Sequence, residues 1–308
     1  MILANEKNLS SIKISSDKIN LRNCALPKRR SMEKVKEMEL KPRVKEAERT
    51  NASVMYSLQA LDYLETEGAA SLNDLSAALS INKSRVLRLC GTLEQMGYLR
   101  RRAEDAKWVL GSRLLSLGKA FERQNPLLQV LRPEMLELSQ QLDENVVFQV
   151  IRGERRLCLC AVNRVQRQRY FTPEGSEARL HYGAAAKVLL AWGPPELRAR
   201  IYEQAPYPRY TEHTRTTAEQ LMADIEKAAA EGWAASSEER TYGSAALAVP
   251  VFGAEGALLG ALSIPTTSQR LTPEFMQRAL PLLKKSAEFI RSTQAGAQKF
   301  VPVKPRRD

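Results

Sequence analysis

Between Asn51 and Gly97 the apolar residues recur every three or four positions in three short bursts, each bracketed by residues that start or stop helices. Val54, Leu58, Leu61 and Leu64 set the first, which Asn51 to Ser53 can cap and Gly68 ends. Leu72, Leu75 and Leu79 set the second behind Ser71, whose hydroxyl can accept from the amide of Asn73 or Asp74. After the break Ser80-Ile81-Asn82 a third helix opens at once, capped by Asn82, with Val86, Leu89, Leu93 and Met96 as its inner stripe and Gly97 as a left-handed stop. The period then drops to two. Tyr98 to Arg102 and Lys107 to Leu110 are β-prone runs about the turn Ala103-Glu104-Asp105-Ala106, which predicts a hairpin.

From Ser112 helical spacing returns with Leu114, Leu115, Leu117 and Phe121, and Pro126 opens a further helix carrying Leu127, Val130, Leu131, Met135, Leu138 and Leu142. Beyond Asn145 strands and helices alternate. Val146 to Ile151 and Leu157 to Val162 read as strands paired about Arg152-Gly153-Glu154-Arg155, and Trp233 to Ser237, Ala245 to Phe252 and Ala257 to Ile264 as further strands of a mixed sheet. Helices are predicted over Gly183 to Trp192, Pro195 to Gln204 and Ala218 to Glu231, and after Thr272-Pro273. The fold class is therefore α+β: a winged helix-turn-helix over 51–112, linker helices over 113–142, and a mixed α/β domain over 143–293. Residues 1–50 and 294–308 are basic and show little periodic apolar pattern, so no packed core is expected there.

The 308 residues are enough for two folded domains, and 44% apolar content is that of a chain with a real core. Lys and Arg number 47 against 35 Asp and Glu, a formal charge of +12, which favours polyanionic partners over acidic substrates. Cys24, Cys90, Cys158 and Cys160 form no CxxC pair and have no nearby histidine, so neither a zinc site nor a disulfide framework is indicated. Cys158 and Cys160, two apart on a predicted strand, are expected to face the same side and pack. No stretch approaches the roughly 18 consecutive apolar residues of a membrane helix, and the N-terminus has no apolar signal core, so the reading is a cytoplasmic protein with no membrane partner.

A helix that reads the major groove must be docked firmly on its neighbours while its outer N-terminal half carries polar and cationic side chains. In SINKSRVLRLCGTLEQMG those residues are Lys83, Ser84, Arg85 and Arg88. The two arginines suit bidentate contacts to guanine edges, whereas Lys83 and Ser84, at the helix start, suit phosphate. In the hairpin, Arg100, Arg101, Arg102 and Lys107 would flank the backbone or minor groove, although alternation lets only some face DNA, and Trp108 is expected to pack.

These residues resemble the IclR family of bacterial regulators over about Asn51 to Thr293. The stretch LSINKSRVLRLCGTLEQMGYLRR followed by WVLGSRLLSLG is similar to the family's recognition helix, wing and linker; LHYGAAAKVLLA, EGWAASSEE, ALAVPVFGAEGALLGALSI and RLTPE follow in the family's order. The resemblance implies a GAF-like effector domain holding a small organic ligand, a carboxylate or an aromatic metabolite, and a homodimer or homotetramer on a near-palindromic double-stranded DNA operator. It places the anion-holding amides at Ala184 and Ala185, and further effector contacts at Ser236, Ala246, Ser263 and Pro265. The family pattern has an acidic residue at Ser236, a small or thiol residue at Ala246 and a serine at Pro265, so a less polar pocket is expected, for a more apolar or aromatic effector or for none at all.

An enzyme is the rival class. No G-x-S-x-G, H-E-x-x-H or phosphate-cradling glycine loop is present, and Ser236-Ser237-Glu238-Glu239 has no histidine close in sequence to act as base. No catalytic residue, cofactor or metal is expected, and His181 reads as a packing residue.

Overall fold

The computed structural model describes residues 51–164 and 172–293, so the basic segments 1–50 and 294–308 lie outside the described residues. The chain divides between Ala52 and Ser53, and all but the first two described residues belong to the second unit. Helix α1 (Ala52–Glu67) buries Ala60 and Leu64 against a small core of Leu75, Val86, Cys90, Leu99 and Trp108. That core reaches only the last turns of α1, so the expected inner residues Val54 and Leu58 stay 56% and 50% exposed.

Ser71 and Asp74 cap α2 (Leu72–Ala78) reciprocally: the Asp74 amide donates to Ser71 Oγ at 3.2 Å and the Ser71 amide to Asp74 Oδ2 at 2.8 Å. Asn82 Oδ1 accepts from the Arg85 amide at 2.8 Å and starts α3 (Lys83–Gln95), whose fully buried residues are Val86 and Cys90. Met96, expected on the inner stripe, lies past the helix end and is 63% exposed. The hairpin β1 (Leu99–Arg101) and β2 (Trp108–Leu110) pairs Leu99 with Leu110 and Arg101 with Trp108. Trp108 is fully buried, and its backbone bonds both ways to Ala70, which docks the wing on the segment before α2.

Helix α4 (Arg113–Gln124) buries no residue, and Leu115, Leu117 and Phe121 are exposed along it. Asn125 then caps α5 (Pro126–Leu142), which turns Leu127, Leu128, Leu131, Met135, Leu138 and Leu142 inward.

The second domain holds a six-stranded sheet in the order β5 (Glu177–Arg179), β4 (Arg155–Val162), β3 (Val146–Arg152), β8 (Leu258–Thr267), β7 (Ser244–Phe252), β6 (Ala234–Ser237). The expectation of a mixed sheet is corrected: every pairing is antiparallel. The helical excursion that could have made a parallel crossover joins β5 to β6, the two opposite edges, so its strands never become neighbours. β5 went unseen in the sequence because three residues carry no alternation.

Helices α5 and α9 (Pro273–Thr293) cover one face of the sheet over Phe148, Leu247, Val249, Leu262 and Ile264. Helices α6 (Ala184–Trp192), α7 (Pro195–Glu203) and α8 (Ala218–Glu231) form the other core with Ala234, Ala248 and Ala261, and these small side chains let α6 approach the sheet closely. A β-bulge between Phe148 and Gln149 also corrects the cysteine reading. Cys158 stands opposite Gln149 while Cys160 stands opposite Phe148 in the α5–α9 core, so the extra residue Leu159 sends the two thiols to different faces. Burial pushes both thiols up to about 12, which leaves them unreactive.

Candidate DNA-reading and effector sites

Because Val86 and Cys90 lock α3 inward, the helical repeat turns Ser84, Leu87, Arg88 and Gly91 outward, and all four are exposed. Lys83 is exposed at the first turn. Arg85 lies on the flank, half-buried, with its guanidinium 4.7 Å from the Tyr56 ring of α1. Arg88 is thus the α3 arginine that projects most directly from the outer surface.

The wing cations divide by strand parity. Arg101 shares the side of Leu99 but stays exposed, its guanidinium 3.6 Å from the Trp108 ring, its Nη1 donating to the Ala106 carbonyl at 2.7 Å and its Nε 3.6 Å from Glu94 Oε2. Arg102 pairs with Asp105 at 2.5 Å and Lys107 reaches the same carboxylate at 3.8 Å, so acid inside the turn offsets both. Arg100 faces away from the domain and is exposed.

In the second domain the register lines up Ser236, Ala246 and Pro265 in one cross-strand row, and Ala234, Ala248, Ser263 and Val147 in the next. Alternation puts both rows on the α6 face, beneath the buried Ala184 and Ala185. All six resemblance-derived effector positions therefore share one side of the sheet. Ser263 Oγ donates to the Val147 carbonyl at 3.1 Å, so its hydroxyl is engaged by the sheet itself.

Gly183, at φ 87°, turns the chain into α6, and its amide donates to Glu239 Oε2 at 2.7 Å. The protein's own carboxylate thus meets the opening of the helix, where the positive end of the dipole favours it. Lys187 Nζ lies 2.5 Å from Glu239 Oε1 and 2.8 Å from Asp224 Oδ2, and Arg215 Nε holds Asp224 at 2.9 Å. A cavity of about 290 Å³ borders this network, lined by Lys187, Arg215, Asp224, Glu239, Ser236 and Trp233 among others. Of the six resemblance-derived positions this cavity includes Ser236 alone, and its charge comes from ionic groups of α6 and α8 that the strand residues do not reveal.

The sequence reasoning missed Lys187 and Asp224, and weighed Glu239 only as a member of Ser236-Ser237-Glu238-Glu239. The signal for the first was present: one lysine inside the otherwise apolar AAAKVLLAW must find a buried partner. His181 packs as expected, its ring stacked 4.9 Å from Tyr207 and 5.8 Å from Tyr210, and burial pushes its pKa down to about 4. The expectation that Glu238 and Glu239 lack a histidine holds in sequence only, since His213 Nε2 comes within 3.6 Å of Glu238 Oε2 on the surface. Among the described residues no group of three or more His, Cys, Asp or Glu is placed to hold a metal, and no helix is long and apolar enough to cross a membrane.

Comparison with known proteins agrees with this architecture. Residues 53–103 match the IclR helix-turn-helix domain, and residues 120–292 match the C-terminal domain of the bacterial transcriptional regulator IclR. The transcriptional regulator KdgR of Escherichia coli is 28% identical over 245 residues, covering 80% of this chain and 93% of its own. The E. coli transcriptional repressor IclR is 23% identical over 247 residues, covering 79% and 90%. In fold, an IclR regulator from Alicyclobacillus acidocaldarius superposes with a TM-score of 0.73 at 22% identity, covering 80% of this chain and all of its own. An IclR homologue from Microbacterium hydrocarbonoxydans, solved with 4-hydroxybenzoate, gives 0.71 at 21% identity with the same coverage. With a helix-turn-helix and an IclR-type C-terminal domain together spanning most of its length, the chain belongs to the IclR family of transcriptional regulators.

Proposed function

We propose that this regulator reads one near-palindromic DNA sequence through α3 and the wing, and that a small organic acid bound on the α6 face of the second domain alters that affinity. The observation that carries the first half is a firmly packed helix presenting Ser84 and Arg88 outward with Lys83 at its start. Arg88 suits a guanine edge, Lys83 and Ser84 suit phosphate, and Arg100, with Arg102 and Lys107 partly offset by Asp105, suits the backbone beside the groove. The second half draws on the shared face of Ala184, Ala185, Ser236, Ala246, Ser263 and Pro265, and on the 4-hydroxybenzoate held by the Microbacterium homologue.

The functional units are residues 51–112 for DNA, 113–142 as connector and 143–293 for the effector. A homodimer, or a tetramer built from it, brings two recognition helices to two half-sites. Val54, Leu58, Leu115 and Phe121, all at least half exposed, supply the apolar surface for pairing. The test is DNase protection of DNA upstream of the protein's own gene, repeated with 4-hydroxybenzoate and other aromatic and aliphatic carboxylates. A protected near-palindrome that an acid strengthens or weakens supports the reading. Protection that no acid moves identifies a DNA-binding protein without ligand response, and no protection at low salt overturns the DNA assignment.

A further inference from the structure

We infer that Arg156 is the carboxylate receptor of the effector domain, taking an organic acid through its Nε beside the opening of α6. This deepens the reading of the second domain as ligand-binding and rests on it. Arg156 stands opposite Ile151 in the β3–β4 ladder, which places it on the α6 face, and it is only 8% exposed. Its Nη1 donates to the carbonyls of Arg179 at 2.7 Å and Tyr182 at 2.6 Å, and the guanidinium lies 4.8 Å from the Tyr182 ring. Its Nε is buried with no acceptor, and among the described residues no carboxylate comes within ion-pair distance of it.

A buried guanidinium served by two carbonyls and a ring face, with no carboxylate in contact among the described residues, is unusual, because charge removed from water is ordinarily matched by a counter-charge. Burial lowers the Arg156 pKa to about 10, which still leaves it a cation at neutral pH. Glu239 favours the Arg156 cation at a distance but is itself held by Lys187 and the Gly183 amide, while Arg240 brings a second cation to 5.6 Å from the same Tyr182 ring. A further anion is what the site lacks.

The surroundings fit a carboxylate. Gly183 lies against the guanidinium so closely that a Cβ there would be 3.2 Å from Nη2, so the glycine keeps α6 and Arg156 together. The amides of Ala184 and Ala185, at the start of α6, have no intrahelical acceptor and sit at the positive end of the helix. A carboxylate on Arg156 Nε would gain a charge-assisted bond and this dipole at once. His181 Nε2 is also buried and unpartnered, with its ring 5.0 Å from Tyr182. Burial holds that imidazole neutral, so Nε2 can accept from a hydroxyl of the same ligand.

The experiment is thermal unfolding of the full-length protein with aromatic and aliphatic monocarboxylates, 4-hydroxybenzoate and pyruvate among them, each beside its neutral amide. The wild type is expected to be stabilised by at least one acid and not by its amide, a comparison that needs no variant. In Arg156→Met, and less severely in Arg156→Lys, affinity for that acid should fall at least tenfold, with far-UV circular dichroism unchanged. If the amide binds as well as the acid, or Arg156→Met binds the acid within twofold of wild type, the Arg156 inference is overturned while the ligand-binding reading stands. If no acid and no amide stabilises the wild type, both fall together.

Discussion

Replacing Lys187 by methionine keeps the length of the side chain and removes the cation that ties α6 to the loop after β6. Lys187 is 4% exposed and meets three acceptors: Glu239 at 2.5 Å, Asp224 at 2.8 Å and the Ala235 carbonyl at 3.2 Å. Asp224 keeps Arg215 after the substitution, whereas Glu239, also 4% exposed, keeps only the Gly183 amide. Breaking a buried pair by removing one partner costs about 3–5 kcal/mol, chiefly because the remaining charge stays buried. The retained Gly183 bond places this case near the lower end, at about 3 kcal/mol. Urea unfolding followed by tryptophan fluorescence would read it, since Trp192 and Trp233 both lie in this domain.

A loss under about 1 kcal/mol would refute the reasoning.

His181 takes up its proton near 6.5 in the unfolded chain and near 4 when folded, so it withdraws stability as pH falls through that window. His181→Phe should lose less stability than wild type between pH 7 and pH 4.5, by up to roughly 3 kcal/mol, read as the difference between their melting profiles. Gly260→Ala would place a Cβ 2.5 Å from the Gln149 carbonyl oxygen and from Phe148 Cζ at the β3–β8 junction; a loss of about 2–4 kcal/mol by thermal denaturation is expected, and an unchanged melting temperature would contradict it. If the exposed face of α4 pairs subunits, Phe121→Glu should lower the mass seen by light scattering to that of a monomer, with circular dichroism unchanged.

Where a sequence signal is local, the chain was legible. Ser71 with Asp74, Asn82 and Gly97 mark the helix ends because each satisfies or stops nearby backbone groups, and α8 was read to the residue from Ala218 to Glu231. What was missed depends on partners distant in sequence. The antiparallel sheet follows from which edges the α6–α8 excursion joins, and the opposite facing of Cys158 and Cys160 from one extra residue in a ladder. The contacts of exposed Arg101 with the Trp108 ring and with Glu94 likewise come from tertiary neighbours. The charged character of the space at Ser236 comes from Lys187 and Asp224, on two helices that only the tertiary fold brings to that strand.

The most direct test of the central claim is fluorescence anisotropy of the full-length protein on DNA from upstream of its own gene, against a scrambled duplex at the same fixed salt, with Arg88→Ala alongside. Salt is held constant because phosphate contacts alone give an affinity that collapses as it rises. A preference of about tenfold or more, roughly 1.4 kcal/mol, that Arg88→Ala erases while nonspecific binding persists, is the predicted result. A preference that survives Arg88→Ala unchanged would contradict the assignment of base reading to the outer face of α3.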